Sequence, residues 1–312
     1  MTPPVRLGWV DAAKGMAMLG VVYFHVTLFL GEVGVDDALG RVKLAFELFP
    51  MPAFFLLSGL LNRRSSTWTF GELWRRRLLP ILYIYVVWSL LRFAFYSAFP
   101  FFVTDVADAP PNSPFTLVLL PVLPTSSYWF IYALALFTLV AWLIRKVPPL
   151  VQLSLAAVIS AGITSGWLDS HTIAWNRIGA LFFFFLLGTL EWRRIRIAVA
   201  RSPWWVIAVV AVVLLGQIAT LYLSATRVLG RVPFYVLIAQ MLAVFLGFQV
   251  ARLIARARWL GFVTVVGRQS LPIYLVHLFL IAPIAEFWII PYMESDAGRR
   301  TWGWLLGDGV GR

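Results

Sequence analysis

Long apolar segments separated by short charged loops are the feature that most limits how this chain can fold. Segments such as Leu181–Leu187 and Val206–Leu215 are apolar on every face of a helix, so their helices need apolar surroundings on all sides. Charged residues make up 13% of the 312 residues, against about 25% in soluble domains. Burial in a lipid bilayer accounts for both observations.

A helix needs about 20 mostly apolar residues to cross a bilayer. The segments that meet this requirement are Trp9–Leu30, Lys43–Leu61, Leu78–Phe99, Ser127–Ile144, Leu150–Leu168, Trp175–Leu190, Pro203–Leu223, Val232–Ile254 and Gln269–Ile290. Phe115–Leu123 is apolar but too short to cross, which indicates a re-entrant or interfacial segment. The sequence therefore predicts an all-α fold: a polytopic transmembrane helix bundle of about 9–10 spans. Residues 1–312 are expected to form one domain, with a short tail after about residue 291.

The loop charges alternate along the chain. Basic residues lie before the first span and after the second, fourth, sixth and eighth, whereas the intervening loops are acidic or sparsely charged. The basic positions are Arg6, Arg63, Arg64, Arg75, Arg76, Arg77, Arg145, Lys146, Arg193, Arg194, Arg196, Arg201, Arg252, Arg256 and Arg258. Because positive residues concentrate in cytoplasmic loops, this pattern predicts a cytoplasmic N-terminus and an outer tail after Ile290. One missed or merged helix would move that tail to the other side.

Composition excludes several classes of function. The chain has no cysteine, which excludes disulfides, thiolate metal sites and a cysteine nucleophile. Its formal charge of +12 would suit nucleic-acid binding, but the charges lie in short loops between spans, so we expect no nucleic-acid partner. Asp11 and Lys14 interrupt the first apolar stretch, and no small-residue cleavage site follows it. We therefore expect a retained first span rather than a signal peptide.

The first span carries three ionisable side chains, Asp11, Lys14 and His25. At 100° per residue they lie within about 60° of one another and so share one helix face. An ionisable residue costs about 2.5–3.5 kcal/mol at the centre of a bilayer, which makes it a functional candidate by default. The alternative is an interfacial Asp11–Lys14 ion pair and a histidine that only packs against another helix. Helix geometry does not decide between the two.

Three other polar features also allow two interpretations. His277, near mid-depth of the last span, is either functional or a hydrogen-bonded packing residue. Arg92 is predicted to reach the lipid headgroups or to pair with Glu47. The basic loop Asn62–Arg77 is either a topology and anionic-lipid signal or a cytoplasmic site for a polyphosphorylated donor, because arginine suits bidentate phosphate contacts.

Several segments together resemble acyltransferase family 3 of membrane proteins, especially the branch related to sugar O-acetylases. In the first helix Asp11 precedes Lys14-Gly15, where many members have arginine in place of the lysine, and His25 follows Lys14 by eleven residues. The other segments are Met51–Gly59, Tyr128–Phe130, Arg177 with Phe182–Gly188, and the pattern Gly-x-x-Ser-x-x-x-Tyr-Leu-x-His within Val266–His277. They occur in the family's order, although members usually have ten spans.

The resemblance implies transfer of an acyl group, most often acetyl from acetyl-CoA, to a hydroxyl of an extracytoplasmic saccharide, glycolipid or other envelope component. A hydroxyl is a weak nucleophile and needs a base that titrates near neutrality, which histidine supplies. We therefore predict His25 as the general base, with Asp11 and Lys14 setting its field or positioning the donor. Lys14 or Arg177 would stabilise the developing oxyanion.

The resemblance also implies a cell (inner or plasma) membrane location, with acyl-CoA entering from the cytoplasm and the acceptor from outside. Candidate contacts for the coenzyme A phosphates are Arg63, Arg64, Arg76 and Arg77. Further candidates for donor or substrate binding, taken from the resembling segments, are Arg177, Ser58, Trp129, Tyr274 and His277. Membrane lipids are expected partners, and no metal is expected.

Two other functional classes stay open on the residues alone. Buried polar residues and a basic cytoplasmic mouth would also suit a transporter or flippase of lipid-linked sugars, but matching halves with glycine- or proline-broken helices are absent from the sequence. A non-catalytic scaffold would leave the aligned Asp11, Lys14 and His25 unexplained. Consumption of the thioester separates these classes, because only an enzyme releases free CoA thiol when an acceptor is present.

Overall fold

The computed structural model describes residues 7–31, 48–100, 102, 113–122, 124, 128–223, 228–289, 291–292 and 295. Regular structure in these residues is entirely helical. The helices are α1 (Gly8–Gly31), α2 (Pro50–Asn62), α3 (Phe70–Ala98), α4 (Pro114–Leu119), α5 (Trp129–Leu143), α6 (Pro149–Thr164), α7 (Ile173–Leu190), α8 (Trp192–Arg201), α9 (Trp204–Leu223), α10 (Tyr235–Ile254), α11 (Gly261–Arg268) and α12 (Ser270–Ile289). Short 3₁₀ turns cover Arg63–Thr67, Val228–Arg231 and Arg258–Leu260.

The prediction of an all-α polytopic bundle is confirmed. Within the described ranges, five helices (α3, α7, α9, α10 and α12) are long and apolar enough to cross a membrane. Each predicted span contains a helix among the described residues, although some span ends are non-helical and residues 43–47 of the second span lie outside the described residues. The predicted interfacial segment Phe115–Leu123 overlaps α4, which has 6 residues and cannot cross. Helices α8 and α11 were not predicted.

Helix α1 packs against α2, α10, α11 and α12. Its inner face is built from small residues, so neighbouring backbones approach closely, as is common between membrane helices. A Cβ atom at Gly15 would lie 1.9 Å from the Val263 carbonyl oxygen, and one at Gly267 would lie 1.7 Å from the Asp11 carbonyl oxygen. These two glycines therefore bring α1 and α11 into backbone contact.

Helices α2 and α7 cross through a second glycine pair. A Cβ atom at Gly59 would lie 2.0 Å from the Phe185 carbonyl oxygen, and one at Gly188 would lie 1.9 Å from the Leu56 carbonyl oxygen. Around this crossing, Phe55 and Phe185 are fully buried in the main apolar core. The crossing fixes the position of α2, whose last turn carries residues of the cavity described below.

Arg92 departs from its predicted position at the headgroups. Its side chain is buried in the bundle, with the guanidinium carbon 5.1 Å from the centre of the Tyr96 ring. This position over an aromatic ring is favourable for the buried cation. Glu47, the other predicted partner, lies outside the described residues.

Candidate active site

A cavity of about 370 Å³ lies between α1, α2, α3, α5, α7, α11 and α12. Along α1 its lining extends from Asp11 to Val21, a rise of about 15 Å. Polar and charged side chains line one end, namely Asp11, Lys14, Asn62, Arg77 and Arg268. Apolar and aromatic side chains line the other, namely Val21, Met51, Phe54, Phe130 and Tyr274. The cavity can therefore hold an elongated ligand with a charged head and a largely apolar arm.

At the charged end, Asp11 is buried and forms an ion pair with Arg268, with 3.4 Å between Oδ2 and Nε. The close approach of Gly267 to the Asp11 backbone makes this pair possible. Arg268 was not among the predicted site residues, although it lies in the segment Val266–His277. The only sequence feature that could have identified Arg268 was its position directly before the last span. That position alone did not indicate a contact with Asp11.

The four arginines predicted to hold donor phosphates have different surroundings. Arg77 is partly buried, lines the cavity and donates a hydrogen bond to the Leu61 carbonyl oxygen. Arg76 is exposed and pairs with Glu72 at 3.3 Å. Arg63 and Arg64 are exposed in the 3₁₀ turn after α2 and do not line the cavity.

A capping box and a π-helical turn place Arg77 at the start of α3. The Thr69 hydroxyl accepts from the Glu72 backbone N–H at 3.3 Å, and the Glu72 carboxylate accepts from the Thr69 backbone N–H at 3.0 Å. Directly after this cap, residues Trp74–Leu78 form a π-helical turn, a feature frequent at functional sites. Consecutive residues of a helix point about 100° apart, so the adjacent Arg76 and Arg77 face different directions.

His25 and His277 meet beyond the apolar end of the cavity. Their ring centroids are 4.9 Å apart, and the residues one turn earlier, Val21 and Tyr274, line the cavity. Two ring nitrogens, Nδ1 of His25 and Nε2 of His277, are buried and have no hydrogen-bond partner among the described residues. The sequence indicated each histidine separately, and the structure brings them together.

The tautomer of His277 follows from its neighbour. Its Nδ1 lies 2.7 Å from the Tyr274 carbonyl oxygen, which can only accept, so Nδ1 carries the proton and Nε2 retains a lone pair. The Tyr128 hydroxyl donates to the Leu275 carbonyl oxygen at 2.9 Å and ties α12 to α5. The ring of His277 is therefore oriented by one backbone carbonyl oxygen, on a helix that is itself tied to α5.

The remaining predicted residues surround these two ends. Ser58 lines the cavity on α2, one turn before Asn62. The guanidinium of Arg177 lies 5.8 Å from the Trp129 ring and is near enough to His25 to interact with it electrostatically. The structure thus groups Asp11, Lys14, Ser58, Arg77 and Tyr274 around the cavity, His25 and His277 beyond its apolar end, and Trp129 with Arg177 beside them.

Comparison with known proteins supports the resemblance seen in the sequence. No curated protein and no solved structure matched the chain. A family model described as an acyltransferase domain matches residues 7–307, which is nearly the whole length. The chain therefore belongs to acyltransferase family 3, a family of multi-pass membrane acyltransferases.

Proposed function

We propose that the protein transfers an acyl group, acetyl in the first instance, from acyl-CoA to a hydroxyl of an extracytoplasmic saccharide or envelope component. The pairing of His25 with His277, at the far end of a cavity that begins with charged side chains, is the observation that carries this proposal. The histidine pair supplies a base at one end of the cavity, and the basic side chains at the other end supply positive charge for the phosphates of a donor.

The dimensions of the cavity suit the donor. A pantetheine arm has about as many chain atoms as four peptide residues and so spans roughly 14 Å when extended. The cavity rises about 15 Å along α1, from Asp11 to Val21. With the phosphates held near Arg77 and Arg268, the extended arm would bring the thioester to the apolar end of the cavity, next to the histidine pair.

The reaction needs one base and one oxyanion contact. The acceptor hydroxyl oxygen attacks the thioester carbonyl carbon while His25 takes its proton, the C–S bond breaks, and the thiolate leaves and is protonated, which yields an ester and free CoA. Arg177 is better placed than Lys14 to stabilise the oxyanion. Lys14 lies eleven residues before His25, about 16 Å along α1, and is proposed to act on the donor phosphates.

Free thiol released from acetyl-CoA is the direct test of this proposal. Envelope glycans from cells with and without the protein are compared by mass spectrometry, and the fraction that gains one acetyl group in its presence serves as acceptor. Purified protein should release thiol from acetyl-CoA only with that fraction. Thiol release that does not depend on the acceptor, or glycans of unchanged mass, would contradict the proposal, and a transporter of lipid-linked sugars would give neither signal.

A further inference from the structure

Asn62 ends α2 inside the protein with its side-chain amide unused. The residue is 2% exposed and lines the cavity. Both its Nδ2 and its Oδ1 are buried and have no hydrogen-bond partner among the described residues. Its backbone carbonyl accepts from the Ser65 hydroxyl at 2.6 Å, so the side chain is not needed to hold the turn.

A buried amide with neither atom paired is unfavourable, because folding removes it from water without replacing its hydrogen bonds. Buried polar groups in native proteins nearly always have partners, and an exception needs an explanation. A bound ligand that supplies both a donor and an acceptor would explain Asn62. Phosphate and thioester groups supply acceptors only, whereas a secondary amide supplies one of each.

We propose that Asn62 binds an amide of the acyl donor's pantetheine arm, an assignment that rests on the proposed function. The Nδ2 group donates to the carbonyl oxygen of the arm, and Oδ1 accepts from its N–H. The pantetheine arm is the part of acyl-CoA that carries secondary amides, and Leu57 and Leu61 line the cavity beside Asn62 as apolar walls for its methylene groups.

The pantetheine arm carries two amides at different distances from the sulfur. The position of Asn62 along the cavity determines which of the two it binds. Arg77, which donates to the carbonyl oxygen of the adjacent Leu61, lies beside it at the charged end. Met51, at the apolar end, precedes Asn62 by eleven residues, or about 16 Å along α2. A donor with its phosphates at Arg77 and its sulfur directed toward Met51 therefore presents to Asn62 the amide nearer the phosphates, which is the one farther from the sulfur.

The first test replaces Asn62 by a side chain of similar shape. We expect Asn62→Leu to raise the KM for acetyl-CoA about tenfold, because the variant loses two neutral hydrogen bonds to the donor. The kcat should change little. Its thermal midpoint should stay the same or rise, because the variant removes a buried polar group that has no partner in the empty protein. Replacement of a residue with a merely structural role would instead lower the midpoint.

Ser89→Ala is the matched control, since Ser89 is also buried with an unpartnered hydroxyl but does not line the cavity.

The second test separates the amide from the phosphates. Acetyl-pantetheine and the acetyl thioester of N-acetylcysteamine both lack the phosphates, and only the first contains the amide farther from the sulfur. The wild type should prefer acetyl-pantetheine, and Asn62→Leu should reduce that preference in kcat/KM about tenfold. An unchanged preference, or a KM for acetyl-CoA within about twofold of wild type, overturns the assignment while leaving acyl transfer intact. A wild type that transfers no acetyl group overturns the proposed function, and the assignment with it.

Discussion

The two histidines differ in what holds them. His277 is fixed through Nδ1 by the Tyr274 carbonyl oxygen, whereas Nδ1 of His25 has no partner among the described residues. His25 instead contacts aromatic rings, with Phe24 at 5.6 Å and His277 at 4.9 Å between centroids. Its Nδ1 thus carries no hydrogen bond that would have to break before it takes up a proton, which suits the residue that exchanges protons with the substrate.

His25→Gln should reduce acyl transfer by about 10²–10⁴-fold, because glutamine still forms hydrogen bonds but cannot take up a proton near neutrality. His277→Gln should reduce it less if His277 mainly positions its neighbour. Initial rates of thiol release, compared at matched membrane expression and matched thermal midpoint, measure both effects. Retention of more than about a tenth of the wild-type rate by His25→Gln would exclude it as the base and move that role to Nε2 of His277.

Arg77 and Arg76 are adjacent arginines whose replacement should affect the KM for acetyl-CoA unequally. Arg77→Gln should raise the KM for acetyl-CoA several-fold, because this guanidinium lines the cavity and, on the proposed function, would make charge-assisted contacts with the donor's phosphates. Arg76→Gln should change it little, because its exposed pair with Glu72 is worth only about 0–1 kcal/mol. Steady-state kinetics with varied acetyl-CoA distinguishes them, and Arg193→Gln on α8 serves as a control for loss of surface charge. Equal effects at Arg76 and Arg77 would reduce the whole loop to a topology signal.

Helical periodicity was sufficient to place Asp11, Lys14 and His25 on one face of a helix. It could not show that Arg268 pairs with Asp11 or that His277 meets His25, since both contacts join segments about 250 residues apart. Nor could it show which of the adjacent arginines Arg76 and Arg77 faces the cavity, because that depends on how α3 packs against its neighbours. The local pattern thus predicted candidate residues, while their pairing depends on tertiary packing.

At the scale of the elements, hydropathy predicted the long helices but not α8 or α11. Helix α11 has 8 residues, too few to cross a bilayer. A search for apolar segments of about 20 residues does not detect a helix this short, so its residues were assigned to a loop. It is held against α1 by the contacts at Gly15 and Gly267, and these depend on backbone geometry rather than on hydrophobicity. This short helix nevertheless carries Arg268 to the cavity.

The glycine crossing of α2 and α7 gives a prediction at this scale. Gly188→Ala should destabilise the protein by about 1–3 kcal/mol, the usual cost of overpacking, because its Cβ atom would lie 1.9 Å from the Leu56 carbonyl oxygen and the two backbones must separate. Gly216→Ala on α9 is the control, since nothing lies within 4 Å of a Cβ atom there. Thermal unfolding in detergent should show a lower midpoint for Gly188→Ala and an unchanged or higher one for Gly216→Ala. Equal midpoints for Gly188→Ala and the wild type would show that the crossing is not tightly packed.

At the scale of the whole molecule, the alternation of basic and acidic loops predicts which side of the membrane each loop faces. With that topology, the two ends of the cavity face opposite sides of the membrane. The basic residues that follow α2 and α7 would then lie in the cytoplasm, on the same side as Arg77 and Arg268. The histidine pair lies further along α1 and α12, nearer the side from which an extracytoplasmic acceptor approaches. Donor and acceptor would therefore enter from opposite sides and meet within the bundle, without either having to cross it.

Labelling of single cysteines tests this arrangement, and the absence of native cysteine makes the background clean. In intact cells, a membrane-impermeant maleimide should label Trp167→Cys, in the loop between α6 and α7, but not Ser66→Cys, in the basic loop after α2. Both positions are exposed on the protein. Tyr292→Cys, just after α12, should be labelled from outside if there are nine spans, because neither α4 with 6 residues nor α11 with 8 residues can add a crossing. Labelling of Tyr292→Cys only after permeabilisation would mean an even number of crossings. With Trp167→Cys still labelled from outside, the error would lie between α7 and the end of the chain.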